Sequence, residues 1–192
     1  MATKVQRFKA PVGVLQLHIE LRGTKPKIWR RILVPETITL ARLHGVIQAA
    51  FQWGGGHLHE FEAAGERYGT SDPDYDPPGS VRSERIKLMS ALAGGSTIEY
   101  LYDFGDSWEH RIKLEKVLAP MDMKLPLCVD GANAAPPDDC GGMPGYADLM
   151  RVLGQPTHPE HDGKVAWLGL GSAAEFDPDA FDARQVTEAL RS

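Results

Sequence analysis

Cysteine is scarce here: two in 192 residues. That excludes a disulfide framework, and a chain of this length needs none, because it buries about 70% of the surface its unfolded form exposes. Long apolar runs are missing too. Nothing approaches the roughly 18 residues of a membrane-spanning helix, so no membrane partner is expected. The start, Met1-Ala-Thr-Lys-Val-Gln-Arg-Phe-Lys9, carries bases with no apolar stretch behind them, which is not the pattern of a signal peptide, and the expected location is the cytoplasm. Gly-x-Ser-x-Gly, a glycine-rich phosphate loop opening a helix, and a calcium-loop pattern are all absent. No cofactor is assigned.

What is present suits a globular protein, with 42% hydrophobic and 24% charged residues. The net charge of −5 is unevenly spread. Residues 1–35 hold eight Lys or Arg against Glu20 alone, residues 36–119 balance to −5, and residues 120–192 to −7. Basic and acidic segments that face each other would explain this; so would a cationic patch for a phosphate-bearing partner.

Periodicity outlines the fold. Leu15, Leu17, Ile19 and Leu21 alternate with Gln16, His18 and Glu20, which predicts a half-buried strand over 14–21. After Arg22–Pro26, the segment 28–34 is rich in strand formers, giving an opening antiparallel hairpin. Thr39 is the expected N-cap of a helix carrying Leu40, Leu43, Ile47 and Phe51, with Gly54, Gly55 and Gly56 as its stop. Residues 57–68 read as one further strand, 71–80 as a loop and 84–92 as a short helix. Residues 97–118 form a second hairpin with Tyr102-Asp-Phe-Gly-Asp-Ser-Trp-Glu-His110 at its tip. Beyond Pro120, an irregular loop over 126–142 precedes helices near 144–153, 158–168 and 177–190. The expected class is α+β: an antiparallel sheet built from the hairpins at about 13–35 and 97–118, packed with a helix at about 39–53 and followed by a mostly helical C-terminal part. One domain over 12–190 and a tail over 1–11 are expected.

Several motifs occur in order: Lys27-Ile-Trp-Arg-Arg-Ile32, Thr39-Leu-x-x-Leu-His44, Trp53, His57-Leu58, the hairpin tip at 102–110, Pro136-Pro-Asp-Asp-Cys-Gly-Gly142, His158-Pro-x-His161 and Phe176-Asp-Pro178. Together they resemble the plasmid pRiA4b ORF-3-like family from about residue 12 to 190. The resemblance implies an α+β domain and, by analogy, an association with mobile elements or DNA. Some members have been labelled resolvase-like. No separate helix-turn-helix and no serine recombinase motif stands in this sequence.

Candidate chemistry falls into four groups. At the second hairpin, Asp103, Asp106 and His110 either line a polar pocket or hold the turn and the core, with Trp108 packed beside them. At the first, Trp29, Arg30 and Arg31 adjoin Arg22, Lys25 and Lys27. Successive side chains on a strand point to opposite faces, so one arginine is expected to pair with carboxylates and the other to join the cationic turn. His44, His57 and His59 are a possible metal set next to Trp53, read otherwise as surface or core histidines. Cys128, Cys140, His158 and His161 have the right elements for zinc at the wrong spacing for a compact site, with Asp138 and Asp139 as nearby carboxylates; no metal is assigned. The favoured reading is a non-enzymatic module that binds a protein or nucleic acid through the basic hairpin and exposed aromatics. The alternative is a metal-assisted hydrolase or phosphodiesterase built on the His and Asp cluster, and a third is a small-molecule sensor.

Overall fold

A computed structural model describes residues 12–70, 76–77 and 79–192; the expected N-terminal tail and much of the expected 71–80 loop lie outside them. Strands β1 (Val14–Leu21) and β2 (Ile28–Pro35) pair antiparallel, as their alternation requires. Every second residue of β1 is buried because only one face of the sheet is covered. Helix α1 (Leu40–Phe51) is the cover. The Thr39 hydroxyl accepts a hydrogen bond from the Arg42 N–H as its cap. The helix stops earlier than its glycines suggest, at Gln52, which takes a left-handed conformation (φ 59°).

The segment expected as one strand is a hairpin of β3 (His59–Ala63) and β4 (Glu66–Gly69), turned at Ala64 and Gly65 in positive φ. Strand β5 (Val81–Ser83) adds on in parallel, and the helix expected over 84–92 shrinks to α2 (Leu88–Leu92). The second hairpin is β6 (Thr97–Tyr102) with β7 (Trp108–Leu118). Strand β8 (Leu127–Ala132) replaces much of the expected irregular loop and pairs with β2. The result is an eight-stranded sheet in the order β5-β4-β3-β6-β7-β1-β2-β8, antiparallel except at β4–β5. The C-terminal part is therefore not simply helical. It supplies an edge strand as well as α3 (Gly142–Leu153), α4 (His161–Trp167) and α5 (Ala183–Ala189), whose cap is Asp182 and not Asp177.

Between the sheet and α1 lies an aromatic core. Tyr100, Tyr102, Phe51, Phe61 and Trp108 are fully buried, and Trp53 stacks on Tyr102 and Trp108 at centroid distances of 5.2 and 5.7 Å. His110 sits among them with no exposure, and its Nδ1 donates to the Trp108 carbonyl at 3.0 Å. Burial holds its imidazole well below the ordinary 6.5, at about 3. The opposite face of the sheet is polar and laced with ion pairs. A bulge in β7 opposite Gln16 and Leu17 brings Glu115 against Arg31, which binds it through Nε at 2.7 Å and Nη2 at 3.1 Å. That pairing holds the Glu115 carboxyl down at about 2.

Two outcomes follow from this core. Trp108→Ala should cost about 3–5 kcal/mol in urea unfolding, because it empties a wholly buried site. His110 stays neutral in the folded chain while the unfolded chain takes up a proton below the ordinary value of 6.5. Stability should therefore hold above that pH and decline as pH falls below it. Urea midpoints across this window should decline less steeply for His110→Leu than for the parent.

Candidate functional site

Polar chemistry gathers where the buried sheet face ends. After Gln52 the chain plugs the core with Trp53, whose indole Nε1 donates to the Pro136 carbonyl at 2.8 Å. Gly54, Gly55 and Gly56 then carry it across the sheet end to His57 and into β3. The adjoining strand, β6, is followed by Asp103, which is left-handed (φ 54°) and 8% exposed. Its Oδ1 accepts from the Gly105 and Asp106 N–H groups at 2.9 and 3.3 Å, so the turn role expected for Asp103 is real. The same bonds aim its second oxygen at His57: Oδ2 lies 3.8 Å from Nδ1.

The third element is the loop 136–142. It is drawn against the hairpin tip by a bond from the Gly141 N–H to Asp106 Oδ2 at 3.0 Å. A side chain at Gly142 would run into the Asp106 backbone, and one at Gly145 into the Cys140 carbonyl, so close approach requires glycine at both. Within this loop Asp138 Oδ2 accepts from the Gly54 N–H at 3.0 Å and from the Tyr102 hydroxyl at 3.4 Å. Burial, then the neighbouring Asp138 charge, pushes the Tyr102 phenol up to about 12, so it remains a donor. Asp138 Oδ1 is buried without a hydrogen-bond partner among the described residues. Asp139 Oδ1 lies 2.9 Å from His57 Nε2. One ligand atom each from His57, Asp103 and Asp139 falls within 4.8 Å of the others. An imidazole with two carboxylates suits a divalent cation such as Mn²⁺ or Zn²⁺.

The structure divides the expected histidine set. His57 joins the aspartates, while His44 and His59 stack with centroids 3.6 Å apart and planes 8° apart. His59 Nε2 bonds Glu84 Oε2 at 2.8 Å, and His44 Nδ1 bonds the Tyr100 hydroxyl at 2.8 Å. Tyr100 also accepts from Gln48 Nε2 at 3.0 Å. Burial, then the adjacent His59, lowers the His44 imidazole to about 4. Asp106 belongs to the loop clasp, and His110 and Trp108 belong to the core, so these three do not converge with His57 on an open cleft. Cys128 and Cys140 are free thiols. Cys128 is buried against Thr187 of α5, and His158 and His161 lie at the start of α4.

The cationic turn is largely neutralised. Arg22 meets Glu109 at 3.3 Å and Glu99 at 3.9 Å, Lys27 meets Glu20 at 3.0 Å, and Arg31 binds Glu115 and Asp130. The partners come mainly from neighbouring strands and not from the acidic C-terminal part. Arg30 does not join Arg22 and Lys27; it is buried on the other face. Lys25 is exposed beside a cavity of about 450 Å³ flanked by Tyr146 and Met150. Trp53 and Trp108 are core residues and not an exposed surface, while Trp29 is half-buried, stacked on His18 and covered by the Arg31 guanidinium. Among the described residues no helix is long and apolar enough to cross a membrane. Sequence reasoning did not unite His57 with Asp139. The paired aspartates after two prolines were the available signal, but their partners come from strands distant in the chain.

The comparisons with known proteins agree on kinship. An uncharacterized protein, y4hQ, of Sinorhizobium fredii (strain NBRC 101917 / NGR234) is 35% identical over 180 residues, covering 93% of this chain and 91% of that one. A crystal structure of a protein of unknown function, MM3350 from Methanosarcina mazei Go1, superposes with a TM-score of 0.79 at 35% identity, covering 91% of this chain and 98% of that one. The profile of the plasmid pRiA4b ORF-3-like protein matches residues 13–185, and the chain belongs to that family.

Proposed function

We propose that the protein is a binding module whose functional centre takes a divalent metal ion between His57, Asp103 and Asp139. The observation that carries this is the approach of the three ligand atoms to within 4.8 Å from three separate segments. Two further features support it. The turn engages only one oxygen of Asp103 and leaves the other toward His57. The loop that brings Asp139 also holds a buried carboxylate oxygen of Asp138 with no donor among the described residues, in a segment with polar capacity to spare. The cationic hairpin is a weaker basis for nucleic-acid binding, because carboxylates already engage Arg22, Lys27 and Arg31.

Metal analysis and calorimetry with Mn²⁺ and Zn²⁺ test the reading. One ion per chain is expected, with affinity about tenfold or more weaker in His57→Ala and in Asp139→Asn. Equal uptake by the parent and both variants, or no uptake at all, overturns it.

Three protein ligands leave coordination positions for water, which favours a hydrolytic second reading. The metal-loaded protein should then cleave bis(p-nitrophenyl) phosphate and lose that activity in His57→Ala. Stoichiometric metal without turnover would keep the module and discard the hydrolase.

A further inference from the structure

Arg30 has an environment that its structural duties do not account for. It is 3% exposed, and its guanidinium lies between the rings of Phe51 and Phe181 at 5.2 and 5.0 Å. Nε donates to the Ala50 carbonyl at 3.2 Å, and Nη1 to the carbonyls of Trp29 and Ala132 at 2.8 and 2.9 Å. Those bonds tie β2 to the end of α1 and to β8. Nη2 has no hydrogen-bond partner among the described residues, and no carboxylate among them comes within 4.0 Å of the group. Burial lowers its pKa to about 10, which leaves it cationic at neutral pH. A buried cation without a counter-charge is costly, and two aromatic faces offset only part of that cost.

Arg30 also lines a cavity of about 500 Å³ beneath the segment leading into α5. Phe181 can lie against Arg30 there because Gly131 has no side chain; a Cβ at that position would strike its ring. Glu175 and Asp177 also line the cavity, with the amides of Gln52 and Gln185 and with Asp182, whose Oδ1 already accepts from the Arg184 and Gln185 N–H groups. An anion alone would face this acidic wall, a cation alone would face Arg30, and an apolar ligand would leave Nη2 unpaired. A molecule carrying both charges offers a partner to Arg30 and to the acidic lining together.

We propose that this cavity binds a small zwitterion of the α-amino-acid class, its carboxylate on Arg30 and its ammonium toward Glu175 and Asp177. The site is separate from His57, and nothing in the inference depends on the metal.

The test is calorimetry, together with amide-shift titration, on the full chain. The probes are the twenty L-α-amino acids, with acetate, inorganic phosphate and ethylamine as single-charge comparisons. At least one amino acid should bind saturably at about 1 mM or tighter, about tenfold or more above every single-charge probe. Binding should persist in chelator and in His57→Ala. Ala180→Trp, which fills the cavity and leaves Arg30 intact, should abolish it, and Glu175→Gln should weaken it. Arg30→Lys should also weaken binding about tenfold or more, and the Ala180 and Glu175 variants keep the test valid if that protein does not fold. No amino acid binding up to about 10 mM, acetate binding as tightly as the best amino acid, or unchanged binding in Ala180→Trp overturns the proposal.

Discussion

Burial of one face of the β6–β7 hairpin beneath α1 is the constraint from which the rest of the arrangement follows. Tyr100, Tyr102, Trp108 and His110 lie on that face and are almost wholly removed from water. Trp53 completes the layer by stacking on Tyr102 and Trp108. Large aromatic rings contribute most of the apolar area in such a layer, and their contacts have preferred geometry, so the hairpin and helix hold one registration. Polar groups on these residues then need partners at the layer's boundary. The Trp53 indole reaches the Pro136 carbonyl, and the Tyr102 hydroxyl reaches Asp138. Through those bonds the loop 136–142 is fastened to the end of the sheet, which is what brings Asp139 to His57.

The other face of the sheet obeys a different rule. It faces water, so its charges can remain, and they arrange themselves by sign across neighbouring strands. Arg22, Lys27 and Arg31, three of the eight bases of the N-terminal segment, each have an acidic partner in the folded chain. For these three residues the segmental imbalance is an internal matter of strand pairing. Exposed pairs of this kind add little stability individually. Their larger consequence is that, among the described residues, Arg22, Lys27 and Arg31 do not form an open cationic surface. Arg30, one residue from Arg31, falls on the covered face and meets rings and carbonyl oxygens instead.

Differences between expectation and structure come from contacts remote in sequence. The two hairpins and α1 were legible because alternation and helical spacing are local. The turn role of Asp103 was legible for the same reason. Strand β8 was not, since Leu127–Ala132 contains Gly131 and Asp130, both poor strand formers. It is a strand because β2 offers it an unpaired edge. The early stop of α1 has a similar origin: Gln52 turns left-handed two residues before the glycines, and the next residue, Trp53, enters the aromatic layer. His44 and His59 were grouped with His57 by nearness in sequence, yet they stack on each other and bond to Tyr100 and Glu84.

Local pattern was enough to place β1, β2, α1, β6 and β7, to say which face of β1, β6 and β7 is buried, and to show which family the chain resembles. Those properties depend on patterns that repeat within a few residues and on ordered motifs. Only the closed fold settled which cations are neutralised, that Arg30 lies beside a cavity with no carboxylate partner among the described residues, and that His57, Asp103 and Asp139 meet. Each of these depends on distances between side chains far apart in the chain, and such distances are set only when the sheet closes and its aromatic face is removed from water.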